Sequence, residues 1–238
     1  DTFQFDAFKV IRKPNTGLNC VVFLDSLSKV TGVKELGTFY GKNMCKDECG
    51  NYYVTGILSG INAVDTAVLS NKKGRVLFAK FDKKLKLKWA TQGGNDTSNY
   101  QSSIVFSDNH LYFLSASRGD SVKFGNKTYN PGKSLFFYFG ELDKSTGKVI
   151  WSKHYKGRDT SYSTLWIGNI LRLNGSLYIS GEVDEFSGMK GVSLSVRKDS
   201  IYGSGGFIFR TDTLGNFNSS FNLYGGHGLS INTDGQFI

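Results

Sequence analysis

The chain has 238 residues and a net charge of +9, which arises from 29 basic and 20 acidic side chains. Such a length allows one large domain with a sizeable core. The basic balance favours acidic partners, such as nucleic acid, an anionic glycan or an acidic protein surface. No apolar run approaches the roughly 18 residues of a membrane-spanning helix. Two prolines and 29 glycines are typical of short strands joined by turns.

One pattern recurs four times along the chain: an apolar strand that ends in aspartate, a short turn and a second strand. Successive copies lie about 60 residues apart, which indicates a repeated supersecondary unit that buries its faces against its neighbours. We treat 1–238 as one repeat region and divide it into the units 1–59, 60–118, 119–183 and 184–238. The aspartates that end the four strands are Asp25, Asp82, Asp143 and Asp212.

The turns predict β-hairpins. In 143–148, aspartate opens the turn and glycine stands near its end, where a positive φ is needed. A glycine also follows the second strand of each unit, and a third strand such as 52–56 comes after a polar loop. The segment 1–5 corresponds to 120–124, and we therefore expect the chain to be a piece cut within the repeat.

These features predict an all-β fold. No convincing amphipathic helical stretch is present, which argues against helical repeat proteins. A β-sandwich would not require a copied unit. Several antiparallel strands per unit favour a β-propeller with about four blade-equivalents, which we expect to be part of a larger propeller.

Lysines are concentrated between the first and second strands of the second unit. From residue 84 they alternate with apolar residues, which predicts a strand with lysines on one face and Leu85, Leu87 and Trp89 on the other. The favoured interpretation is a solvated strand face that prevents edge pairing. A contact surface for a polyanion or partner is the alternative. The lysines concerned are Lys83, Lys84, Lys86 and Lys88.

The cysteines and histidines predict no metal site. Cys45 and Cys49 flank three polar residues and could form a disulfide in an oxidising compartment, which would leave Cys20 unpaired. A zinc site would need two further ligands, and the three histidines lie in separate units without ligand spacing. We therefore expect no metal, no cofactor and no catalytic residue. The histidines are His110, His154 and His227.

Three segments resemble a known family. The segments 89–94 (WATQGG), 50–56 (GNYYVTG) and 120–128 (DSVKFGNKT) are similar to the secreted bacterial β-propeller repeats (SBBP type) of Bacteroidetes-type surface proteins. The second unit departs from this pattern with Ser-Asp-Asn-His at 107–110, and the third lacks the Gly-Gly pair. The resemblance implies a propeller in an exported, outer-membrane-associated protein, and it implies no catalytic residues.

Together these observations predict a non-catalytic binding or structural module, secreted or at the surface of a bacterium. Its loops would contact a protein partner in a larger assembly, or a surface glycan. Alternatives are a glycan-active enzyme with carboxylates in a central pocket, and a free adhesin or polyanion-binding protein. Nucleic acid is less favoured, because the aromatic residues suit strand cores. The candidate loops are 42–49, 94–102, 157–164 and 226–230.

Overall fold

The computed structural model describes residues 2–11, 19–95, 99–118, 121–130, 135–157, 164–184, 193–196, 199–202 and 205–223. These residues form antiparallel β-sheets, which confirms the predicted all-β class. Within the described ranges, the one helical element is a single 3-10 turn at Asn71–Lys73. The same ranges contain no helix of the length and hydrophobicity needed to cross a bilayer.

Four sheets follow one another along the chain, and each is built around an aspartate hairpin. The first sheet contains β3 (Asn19–Leu24) and β4 (Val30–Gly37). The second contains β5 (Tyr40–Lys46), β6 (Tyr52–Ile57), β9 (Val76–Phe81) and β10 (Leu87–Gly93). The third contains β11 (Asn99–Ser107), β12 (His110–Arg118), β15 (Leu135–Leu142) and β16 (Val149–Gly157). The fourth contains β17 (Thr164–Leu173), β18 (Ser176–Asp184), β21 (Gly205–Asp212) and β22 (Phe217–Leu223).

Short hairpins precede the aspartate hairpins, and we call them strap hairpins. In the second, third and fourth sheets, the strap lies between the second and third strands of the sheet. The four straps are β1–β2 (Thr2–Phe5 and Phe8–Ile11), β7–β8 (Ile61–Val64 and Ala67–Ser70), β13–β14 (Val122–Phe124 and Lys127–Tyr129) and β19–β20 (Ser193–Val196 and Asp199–Tyr202).

Adjacent sheets pack face to face. Successive side chains of a strand point to opposite faces, and in β12 both faces are buried. Leu111 and Phe113 contribute to the core shared with the second sheet, whereas Tyr112 and Leu114 contribute to the core shared with the fourth. A third core lies between the first and second sheets and contains Phe81. The middle strands of the second and third sheets are therefore mostly apolar on both faces, because each one contributes to two cores.

Each aspartate hairpin is closed by the carboxylate that begins it. The carboxylate Oδ1 accepts backbone N–H groups of the turn, and the aspartate N–H donates to the carbonyl four or five residues later. Bonds from the Lys86 and Thr146 amides lower the pKa of the Asp82 and Asp143 carboxyls. The four predicted hairpins, at Asp25, Asp82, Asp143 and Asp212, are thus confirmed.

The third or fourth residue after the aspartate has a positive φ in every hairpin. At Gly147 and Gly215, a Cβ would also lie 2.6 Å from a ring carbon of the preceding sheet, in Trp89 and Trp151 respectively. Glycine is therefore required there for both its backbone and its lack of a side chain.

At the interface between the first and second sheets, the large and the small residue change places. Gly32 pairs with the residue two before Asp25, as Trp89 does relative to Asp82, so a glycine stands where the second and third sheets carry tryptophan. The turn position opposite is Leu85, which has φ +55° and is buried in the same core. Large and small residues are thus exchanged between the two sides of the contact.

The strap hairpins connect neighbouring sheets. Val64 pairs with Gly37, Lys123 with Gly94 and Leu194 with Gly157, so these three straps meet the end of the last, or outer, strand of the preceding sheet. The turn of the strap contacts its own sheet, since Asp65 Oδ2 accepts the Leu87 N–H at 2.9 Å. The backbones meet closely because the outer strands end in glycine.

The sheets are out of phase with the units defined from the sequence. The boundary at 59/60 falls between β6 and β9, within the second sheet, and the boundary at 118/119 falls within the third. Each of the first three sequence units therefore supplies the last two, or outer, strands of one sheet and the first two, or inner, strands of the next. The sequence pattern shows the length of the repeat, whereas the hydrogen bonds between strands show where each sheet begins.

Ser28 has φ +61° at the turn position that Gly147 and Gly215 occupy in later hairpins. A Ser28→Gly substitution removes a strained non-glycine conformation, and we expect it to raise the free energy of unfolding by about 0.5–1 kcal/mol. Ser26→Gly, in the same turn without positive φ, serves as the control and should lower stability slightly. Denaturant unfolding measures both variants. Equal losses for the two would contradict the proposed strain at Ser28.

Gly93 ends β10, and a Cβ there would lie 2.5 Å from Cδ1 of Phe124 in the next strap hairpin. We expect Gly93→Ala to lower the free energy of unfolding by about 1–3 kcal/mol, because the buried ring must move. Gly32→Ala is the matched control, since its Cβ would meet Phe23 at an ordinary 3.4 Å. If the two alanine variants unfold at the same denaturant concentration, the strap does not depend on this glycine.

Candidate functional site

The strand directions divide the stack into two ends. Within each sheet the first and third strands run in the same direction, because both are antiparallel to the second. The turns that follow them, such as 47–51 and 82–86, therefore share one end, which we call the turn end. The chain enters and leaves each strap hairpin at the opposite end, which we call the strap end, whereas the strap turn reaches the start of the outer strand, as the bond between Asp65 and Leu87 shows. Neighbouring sheets are aligned in the same way, since the Lys144 carbonyl accepts Trp89 Nε1 at 3.2 Å.

The four predicted contact lysines lie at the turn end. The prediction that they share a strand face from residue 84 is wrong, because β10 begins only at Leu87. Asp82 closes a turn over 82–86, and the positive φ of Leu85 interrupts the alternation. Leu85 is nevertheless buried and the lysines are exposed, so the turn achieves the separation that a strand was expected to give. Lys83, Lys84 and Lys86 are turn residues, and Lys88 is on β10.

These four lysines form a compact basic surface, the turn-end lysines. Lys88 Nζ lies 3.5 Å from Asp82 Oδ2 with its side chain 52% exposed, a weak surface ion pair. Lys80, by contrast, makes contacts within the protein, because its Nζ donates to the Lys144 carbonyl at 3.1 Å and lies over the Tyr53 ring. The turn-end lysines can therefore meet an anionic partner without breaking a buried contact.

Two carboxylates at the turn end, those of Glu141 and Asp108, are paired with neighbouring side chains. Glu141 accepts from Trp151 Nε1 at 2.8 Å and lies 2.6 Å from His110 Nδ1. Asp108 Oδ2 lies 3.2 Å from Arg172 Nε of the next sheet. The described residues contain no group of three or more histidine, cysteine, aspartate or glutamate side chains arranged for a metal ion. These pairs join neighbouring strands and neighbouring sheets, so the charges stabilise the fold.

Of the other two histidines, His154 lies within the described residues. His154 is packed against the rings of Tyr129 and Tyr138, and burial lowers the pKa of its imidazole. It stands on β16, and the rest of its side chain is exposed. His227 lies outside the described residues, as does the candidate loop 226–230.

The cysteines are free thiols in this structure. Cys45 lies on β5 and packs against the core between the second and third sheets. Burial raises the pKa of the Cys45 thiol to about 12. Cys49 is exposed in the turn 47–51. The disulfide between Cys45 and Cys49 stays a prediction for an oxidising compartment.

A groove of about 740 Å³ opens at the strap end. It lies between the outer strand β10, the end of the strap β7–β8 with the following 3-10 turn, and the strap β13–β14. Gln92 anchors one wall, since its Nε2 donates to the carbonyls of Ser70 and Gly74 at 2.8 Å each. Lys72 and Lys123 bring two positive charges to the lining. The lining is polar and apolar in equal parts, and a basic recess of this size suits a ligand that carries negative charge.

Sequence reasoning did not identify this groove. Its residues come from three separate segments, 69–74, 90–95 and 121–126, and only the fold brings them together. The adjacent lysines at 72 and 73 were the available signal. Of the predicted loops, 42–49 is largely strand β5, residues 99–102 of the second belong to β11, and 96–98 and 158–163 are outside the described residues.

Comparison with known proteins gives no assignment. No protein-family model matches the chain, and no curated protein matches it. The resemblance to the secreted bacterial propeller repeats therefore stays a prediction.

The cysteines can be distinguished by their reactivity. We expect Cys49 to react with a maleimide reagent at least tenfold faster than Cys45 at pH 8, because Cys45 is half-buried and its pKa of about 12 leaves little thiolate. Mass spectrometry of peptides after timed labelling measures both rates. Protection of both cysteines until a reductant is added would show that the disulfide forms. Equal rapid labelling would contradict the burial of Cys45.

Proposed function

We propose that the chain is a β-propeller segment that serves as a non-catalytic binding module of an exported bacterial surface protein. The observation that carries the propeller proposal is the contact between inner strands of successive sheets. Asn43 on β5 accepts the Ile104 amide of β11 at 3.2 Å, and Ser103 Oγ donates to Asn169 on β17 at 3.2 Å.

The outer strands support the same arrangement. Inner strands of neighbouring sheets are close enough for direct hydrogen bonds, whereas outer strands are held apart by tryptophan rings and strap hairpins. A stack that is narrow on the inside and wide on the outside must curve around an axis near its inner strands. Blades of a propeller are arranged in this way.

The outward face of the first sheet supports a larger propeller. Leu24 is 58% exposed, although Phe81 and Leu142, which also directly precede the hairpin aspartate, are buried in the cores of later sheets. An apolar residue at a position that is otherwise covered favours a further sheet against this face.

The binding role rests on the turn-end lysines and on the rigidity of their support. Asp82 fixes the turn through two backbone bonds of 2.9 Å, and Leu85 anchors it in the core. Side chains on a turn held in this way lose little freedom on binding, which favours affinity. The partner that fits is an acidic protein surface or an anionic surface glycan.

A polyanion tests this surface. We expect Lys83→Gln/Lys84→Gln to weaken binding to dextran sulfate about tenfold at 150 mM salt, and to reduce the slope of log affinity against log salt. Lys9→Gln/Lys34→Gln removes the same charge from exposed positions around the first sheet and should change affinity less than twofold. Isothermal titration calorimetry measures both. Equal losses in the two variants would show general charge attraction and would refute a dedicated surface.

A further inference from the structure

The groove at the strap end holds its cationic groups on a fixed backbone. Lys123 donates its N–H to the Gly94 carbonyl at 2.9 Å and accepts the Gly94 N–H at 2.8 Å, so its backbone is pinned to the end of β10. Lys72 is the middle residue of the 3-10 turn, and its amide donates to Ser70 Oγ. Both side chains border the recess of about 740 Å³ from opposite straps.

The repeat itself does not require this chemistry. At the interface between the first and second sheets, the residue equivalent to Lys123 is Ala63, whose carbonyl accepts the Thr38 amide at 2.8 Å. The residue equivalent to Gln92 is Glu35, three positions after Gly32 on the outer strand, as Gln92 is three positions after Trp89. The same backbone framework therefore forms with a neutral and an acidic residue in place of Lys123 and Gln92.

The lining also restricts the class of ligand. No carboxylate and no aromatic ring is among the residues that line the groove, all of which are described. Without an aromatic surface for stacking, a neutral sugar would rely on weak hydrogen bonds alone. A carboxylated sugar would add charge-assisted bonds to the two lysines. Hydroxyl and amide groups for the sugar hydroxyls come from Thr91, Ser121 and Asn126, and from Gln92 Oε1.

We propose that this groove binds an acidic oligosaccharide. Lys72 and Lys123 contact carboxylates of the sugar, and the amide and hydroxyl side chains contact its ring hydroxyls. The site lies at the opposite end of the stack from the turn-end lysines, and it extends the proposed role as a binding module to a second surface. Its failure can be separated from that of the turn-end surface, because the two have different lysines.

The test uses three hexameric probes: oligogalacturonate, maltohexaose and hexaglutamate. Isothermal titration calorimetry at 150 mM salt should show binding of oligogalacturonate and at least tenfold weaker binding of the neutral sugar and of the peptide. Lys72→Gln/Lys123→Gln should weaken oligogalacturonate binding at least tenfold. Lys83→Gln/Lys84→Gln, which removes the same charge at the turn end, should leave it unchanged within twofold.

A second variant tests the groove without changing charge. Ser121 is exposed at the groove, so Ser121→Trp should fill the recess and abolish binding, with the unfolding midpoint unchanged. Binding of hexaglutamate as tight as that of oligogalacturonate would overturn the saccharide proposal in favour of an acidic peptide. Absence of oligogalacturonate binding, or equal losses in the two lysine double variants, would overturn the site itself.

Discussion

The middle strands of the second and third sheets are buried on both faces, and the whole architecture depends on that double burial. Phe113 of β12 packs on one side of its sheet and Tyr112 on the other, both fully buried. Burying a side chain of this size contributes about 1.5–3 kcal/mol. An isolated sheet would expose both of these faces to water. Each sheet therefore becomes stable only between neighbours, and the repeat is the consequence.

Face-to-face packing alone would let the sheets slide, and two contacts fix their relative position. Tryptophan on an outer strand faces glycine in the next hairpin turn, as Trp151 faces Gly215. The strap hairpins pair with the glycine that ends the preceding outer strand, as Val64 pairs with Gly37. One contact acts near each end of the stack, so translation and tilt are both restricted.

The sequence predicts the parts of this fold that depend on local chemistry. Aspartate at a turn start and alternating apolar residues identify the four hairpins, since both act over a few residues. The borders of the sheets could not be predicted, because β6 and β9 are joined across a strap of the same β-character. The groove was missed for a related reason: Lys72 and Lys123 are 51 positions apart in sequence, and only strap pairing brings them to one recess.

The framework and the charged surfaces use different residues, and this separation explains how a degenerate repeat can carry binding sites. Buried positions, hairpin aspartates and strand-end glycines determine the stack. Lys83, Lys84 and Lys123 occupy exposed positions, and Lys123 is replaced by Ala63 at the equivalent position elsewhere in the chain. The side chains at these positions can change without loss of the cores. Each end of the stack can therefore acquire its own specificity while the sheets between them keep their packing.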